Sequence, residues 1–169
     1  EIIMANRERR AIRFHESKVR EMGRMSTGVR GMTLGEAGDE IVGMITMKAD
    51  SKDSIMVVSE KGFGKRSDLD DYRITNRGGK GVKTLNITDK TGGLVAIKNV
   101  TDDNDLVIIN QSGITIRLAV RDVRVMGRAT QGVKLIDLSK RNDTIASVCK
   151  VASDPEEAAE KEAEADING

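Results

Sequence analysis

The sequence predicts an all-β, propeller-like architecture, and three observations carry that expectation. A Gly-Val step recurs at Gly28, Gly81 and Gly132, in STGVRG, GKGVKT and TQGVKL, at spacings of 53 and 51 residues. Each recurrence sits in a unit of about fifty residues with roughly four short β-like segments. Before residue 153 there is no sustained helical periodicity, and the single proline is Pro155. Four strands per unit at this period suit the blade of a ring in which neighbouring blades cover each other's faces. Three blades do not close a ring comfortably. The chain also opens without Met beside an apolar run, so it reads as a piece of a larger array.

The elements follow in the same order in each unit. An apolar run comes first: IIMA at 2–5, IMVV at 55–58 and LVII at 106–109. A short turn follows (NRER, SEKG, NQSG), then a second strand-like segment. In ITIRLAV the residues Ile114, Ile116 and Leu118 alternate with Thr115 and Arg117, the period of a half-buried strand. The Gly-Val step is third. The fourth is another apolar run: IVGMI at 41–45, LVAI at 94–97 and TIASV at 144–148. These set the expected boundaries as three four-stranded blades at 1–52, 53–102 and 103–152, with an acidic tail at 153–169. The middle unit departs from the pattern, because Lys65 stands where the others carry Ile12 and Ile116.

The net charge of +1 conceals an asymmetry. Residues 154–169 hold seven acids and one base, net −6, which leaves +7 on residues 1–153. A basic body with an acidic tail points to a polyanionic partner and a segment that competes with it.

Basic residues also recur with the unit. Fifteen residues before the anchoring glycine stand Arg13, Arg66 and Arg117; eight before it, Arg20, Arg73 and Arg124. Four before it stand Arg24, Arg77 and Arg128; two after it, Arg30, Lys83 and Lys134. Neighbouring offsets diverge freely, as Lys18, Asp71 and Asp122 do, so inheritance from one ancestral unit does not account for the pattern alone. Arg13 and Arg117 are out of phase with Ile12, Phe14, Ile116 and Leu118, which turns them to solvent if those residues face the core. Placed on successive blades, each set forms a stripe on the rim of the ring. Gly78, Gly79 and Lys80 in NRGGKG add a loop whose backbone N–H groups could approach a phosphate, with Lys65 beside Arg66 as a further candidate. Phe14, Phe63 and Tyr72 are the only aromatics, too few for the stacking platforms of single-strand binders. Duplex nucleic acid, held through its phosphates, is the expected partner.

Several chemistries lack their parts. His15 is the one histidine and Cys149 the one cysteine, insufficient for an ordinary structural zinc site. No GxxxxGK[ST] or GxGxxG stands between a strand and a helix, so nucleotide binding has no support. Cys149, in IASVC, reads as a buried small hydrophobe in a chain kept reduced in a cytoplasm. No apolar run approaches the ~20 residues of a membrane span.

The motifs VREMGRMSTGVRGMTLGEAGDE at 19–40, SEKGFGKRSDLDDYRITNRGGKGVKT at 59–84 and VRVMGRATQGVKLIDL at 123–138 resemble the C-terminal domain of the DNA gyrase A subunit. The resemblance runs over about residues 1–151 and implies the last three blades of a six-bladed β-pinwheel followed by that subunit's acidic tail. It further implies a type IIA topoisomerase, cytoplasmic and nucleoid-associated, that wraps duplex DNA and supercoils it negatively with a gyrase B subunit, ATP and Mg2+. The catalytic tyrosine of that family lies in another portion of the protein, and Tyr72, in LDDYRI, does not match its context. Thr75–Gly81 matches five of the seven positions of the family's Gln-Arg-Arg-Gly-Gly-Lys-Gly box, without its initial Gln and one Arg.

In the tail, Asp154, Pro155 and Glu157 form a helix-start signature, so the segment is expected to be a short helix or disordered, competing in cis for the basic rim. Two other readings stay open: the corresponding domain of topoisomerase IV, and a propeller serving as a protein-binding hub.

Overall fold

The computed structural model describes residues 1–86, 88–128, 130–140 and 142–156. Eleven strands and three single-turn 3-10 helices make up its named elements. The apolar runs that open the units are β1 (Ile2–Asn6), β4 (Ser54–Ser59) and β8 (Asn104–Asn110). Each turns back into β2 (Arg10–Phe14), β5 (Phe63–Ser67) or β9 (Thr115–Ala119). The downstream runs are β3 (Ile41–Thr46), β7 (Leu94–Val100) and β11 (Ile145–Ala152). The Gly-Val steps of the second and third units are two-residue strands, β6 (Val82–Lys83) and β10 (Val133–Lys134).

The sheets do not coincide with the sequence units. Their strand orders are β3-β1-β2-β6, β10-β5-β4-β7 and β11-β8-β9. β6, from the second unit, pairs antiparallel with β2 of the first (Arg10 opposite Lys83); β10, from the third, pairs with β5 of the second. Each of the first two sheets thus borrows its outer strand from the unit that follows. The expectation of three four-stranded blades is corrected accordingly: the third sheet has three strands among the described residues. A two-residue strand carries no alternation to read, and its partner is decided by where the preceding segment leads. That segment crosses to the earlier blade through parallel bridges, Arg13 with Ile74 and Arg66 with Val125.

The middle sheet is buried on both faces, which explains the unbroken apolar run in β4. Ile55 and Val57 enter a core with Ile3, Ala5, Tyr72 and Leu85, between the first and second sheets. Met56 and Val58 enter the other core, with Leu106, Ile108, Val120 and Ile145. Strand period two therefore places one apolar set on each side. Tyr72 is core, 1% exposed, with its hydroxyl bonded to that of Thr84, and burial pushes its phenol up to about 12.

Lys65 takes the place in β5 that Ile12 takes in β2, and it is 0% exposed. Its Nζ donates to the carbonyl oxygens of Gly127 at 3.1 Å and Thr130 at 3.3 Å, so the following unit satisfies the buried charge. Burial, reinforced by the Arg128 charge and opposed by Asp71, lowers the ammonium to about 8. An unfolded lysine titrates near ~10.4. Between those values the unfolded chain holds the extra proton, so this group makes stability rise with pH across that window. The expected result is a denaturation midpoint that climbs from about pH 8 to pH 10 more steeply in the wild type than in Lys65→Met. Equal pH slopes in the two proteins would refute the assignment.

One further expectation is overturned. Cys149 is exposed, because β11 is the outer strand of its sheet and only Ile145 and Val148 of its eight residues are buried.

Candidate nucleic-acid interface

The four recurring basic offsets divide into two kinds once the sheets are assembled. The residues eight before the glycine, Arg20, Arg73 and Arg124, follow directly on the three 3-10 turns. All three are exposed, and their side chains have no hydrogen-bond or ion-pair partner among the described residues. Among those two after the glycine, Arg30 and Lys83 are likewise exposed and unpaired within the described residues. Lys134 is exposed, 3.9 Å from Asp137 and 6.0 Å from the Phe63 ring centroid. A charge left in water beside a chain of like charges carries an electrostatic cost that a polyanion relieves.

The other two offsets are occupied by the fold at every position but Arg24. Arg13 is 6% exposed, and its Nε lies 2.8 Å from the Glu1 carboxylate. Its Nη1 donates to the carbonyls of Leu69 and Tyr72 in the next unit, at 3.0 and 2.9 Å. Arg66 is 8% exposed and bonds Asp102 at 2.5 Å; Arg117 bonds Asp105 at 2.7 Å. The outward orientation expected for Arg13 is therefore corrected: the alternation put it opposite Ile12 and Phe14 correctly, but that second face is covered by the neighbouring blade. A signal for this was present. Glu1 and Asp105 share an offset of 27 before the glycine, and the second unit, with Ser54 there, pairs Arg66 with Asp102 instead.

Arg77 and Arg128 reach backward into the preceding unit. Arg77 donates from Nε to the Lys18 carbonyl at 2.8 Å and from Nη1 to the Arg30 carbonyl at 3.0 Å. Arg128 repeats this with Asp71 at 2.9 Å and Lys83 at 2.5 Å. Arg24, at the same offset in the first unit, is exposed with no such partner among the described residues. Lys65 is enclosed as described above and presents no charge at the surface.

The box-like loop divides in the same way. Gly78, at φ 84°, donates its N–H to the Gly31 carbonyl at 2.6 Å, so that donor is turned inward, away from any phosphate. The Gly79 carbonyl accepts from the Thr33 N–H at 2.9 Å, while Gly79 itself and Lys80 stay exposed. Beneath them a cleft of about 300 Å³ is lined by Ile12, Arg73, Asn76 and Lys80, among others. His15 is exposed and caps its own 3-10 turn, accepting from the Ser17 N–H at 3.1 Å. Among the described residues no three His, Cys, Asp or Glu side chains converge to hold a metal, and no helix is long and apolar enough to cross a membrane.

Comparison with known proteins matches residues 1–46, 53–101 and 104–149 to the family model described as DNA gyrase C-terminal domain, beta-propeller. The DNA gyrase A subunit of Staphylococcus aureus strain MRSA252 is 46% identical over 162 residues, which cover 96% of this chain and 18% of that protein. Its counterpart from strain NCTC 8325 / PS 47 is 46% identical over 157 residues, 93% of this chain and 18% of that protein. The chain thus spans under a fifth of the length of these relatives. Among solved structures, a DNA gyrase A C-terminal domain superposes with TM-score 0.78 at 27% identity, over 88% of this chain and 50% of that one. The C-terminal domain of DNA topoisomerase IV superposes with TM-score 0.82 at 24% identity, over 90% of this chain and 46% of the other, and shows the shared fold.

Proposed function

Because this chain belongs to the family of DNA gyrase C-terminal, beta-propeller domains, we propose that it binds duplex DNA along its rim and bends it, as the wrapping segment of a type IIA topoisomerase. The observation that carries this reading is the pair of exposed cationic sets, Arg20/Arg73/Arg124 and Arg30/Lys83/Lys134, each repeated once per unit. Evenly repeated point charges suit the evenly repeated phosphates of a duplex. The aromatics argue against a single strand: Phe14 and Tyr72 are 2% and 1% exposed, which removes them as stacking surfaces. Identity of 46% to gyrase A subunits favours gyrase over topoisomerase IV. The charged rim disfavours a protein-binding hub.

In this reading the chain is one part of a cytoplasmic holoenzyme. Strand breakage, ATP and Mg2+ belong to other portions and to a gyrase B subunit, while this chain contributes curvature to the DNA. The acidic tail competes with DNA for the rim. Its first residues support a helical start, since the Glu156 N–H bonds the Asp154 carboxylate at 3.0 Å; residues 157–169 lie outside the described ones.

The test is equilibrium binding of the full chain to labelled duplex and single strand of equal length between 50 and 200 mM salt. Six phosphate contacts give a log–log slope of about −5 and a clear preference for duplex. Truncation after Ser153 tightens the same binding at low salt. A slope near zero, or equal affinity for the single strand, would reject the reading.

A further inference from the structure

We infer that Arg77 and Arg128, which sequence spacing groups with the DNA contacts, are positioning residues: each is a clip that sets where the free cations of the preceding blade point. The inference rests on the proposed duplex contact and adds to it what holds the contact in shape.

The geometry is the same at both blade boundaries. Each clip has two acceptors, and both are main-chain carbonyls at or near an exposed cation. Arg77 bonds the carbonyl of Arg30 itself and that of Lys18, two residues before Arg20. Arg128 bonds the carbonyl of Lys83 itself and that of Asp71, two residues before Arg73. One guanidinium therefore ties the backbone of one free cation of the preceding unit to the backbone two residues before the other. The planar fork of arginine makes this possible, because Nε and a terminal N–H diverge at a fixed angle; a lysine offers one point. Charge-assisted bonds to carbonyls stand among the stronger hydrogen bonds of a surface.

The acceptors are indifferent to side-chain identity, which matches the sequences. The clipped carbonyls belong to Lys18 and Asp71 at one offset and to Arg30 and Lys83 at the other. With donors already committed to carbonyls, neither arginine has its Nε free for a phosphate. Neighbouring bonds reinforce the first boundary: Gly78 N–H to the Gly31 carbonyl at 2.6 Å and Thr33 N–H to the Gly79 carbonyl at 2.9 Å. Curvature of the bound duplex is thereby set by the angle between blades, and the clips hold that angle.

The experiment compares Arg77→Gln, Arg128→Gln and the double variant with the wild-type full chain. Three readouts are taken: amide hydrogen exchange without DNA, the salt slope of duplex binding, and duplex bending by energy transfer. The clip predicts faster exchange at Gly78 and Thr33 in Arg77→Gln, a smaller bend in each variant, and a salt slope unchanged within about half a unit. Arg77→Lys, which keeps the charge but loses the fork, should behave like Arg77→Gln. A slope reduced by about 2 in the double variant, with exchange and bend as in the wild type, would overturn the proposal and return both arginines to direct phosphate contact. If wild-type protein shows no duplex binding, the proposed function fails, and the exchange readout still decides the clip.

Discussion

Replacing Arg20, Arg73 and Arg124 together by glutamate is expected to reduce the salt slope of duplex binding by about 3 and to abolish bending. The reason is geometric: among the described residues, these arginines form the one offset that is exposed and without a partner in all three units. Each would neutralise one phosphate and release its condensed counterions. Reversal also places a carboxylate against the phosphate, so affinity falls further than the lost contacts alone require. Stability should hardly change, since the side chains make no bond to the described part of the fold and exposed substitutions typically fall within about 0.5 kcal/mol. The check is a salt titration beside a thermal melt of the same variant. Wild-type slope and bend in a folded triple variant would dismiss the rim as the binding surface.

Alanine at the repeated glycines is expected to have very unequal effects. Gly81 and Gly132 have φ of 71° and 82°, where an L residue is strained. A Cβ there would also lie 2.4 Å from the Ala11 carbonyl oxygen and 2.5 Å from that of Gly64. These oxygens are held in β2 and β5, opposite β6 and β10, and have no room to withdraw. Left-handed strain contributes about 1–2 kcal/mol and the backbone clash adds to it, for a loss on the order of 4 kcal/mol in each case. Gly28 has the same backbone, φ 89°, but an added methyl would meet nothing within 4 Å, so its alanine should cost only about 1 kcal/mol. Urea denaturation of the three single variants measures this. Equal losses at all three positions would mean that borrowing the outer strand imposes no packing constraint on the glycine.

The first, second and fourth strands of each unit were legible because period-two burial and turn residues act over a few residues. That β4 is covered on both faces while its counterparts are not was not legible, because IIMA, IMVV and LVII are equally apolar runs. The cationic residues were legible as a set, from offsets alone. Their division was not. Arg13 and Arg20 recur with equal fidelity, yet Arg13 meets Glu1 and two carbonyls of the next blade while Arg20 meets water. The acid recurring 12 residues before Arg13 and Arg117 was the one cue to their pairing, while the two carbonyls that also hold Arg13 lie 56 and 59 residues away and leave no local trace. Cys149 was misplaced for a related reason: its local apolar context does not reveal that β11 is an edge strand.

The repeat, the all-β class, the basic body and the acidic tail were thus determined by the sequence by itself, through spacings and short-range alternation that need no partner to be read. The exchange of the outer strand between units, the enclosure of Lys65, and the division of the arginines between solvent, carboxylate and carbonyl were decided only in the tertiary structure. A guanidinium forms whichever charge-assisted bonds lie within reach when the chain closes. For the carbonyls that hold Arg13, Arg77 and Arg128, what lies within reach is fixed by the packing of one unit on another, which no short window of the sequence contains.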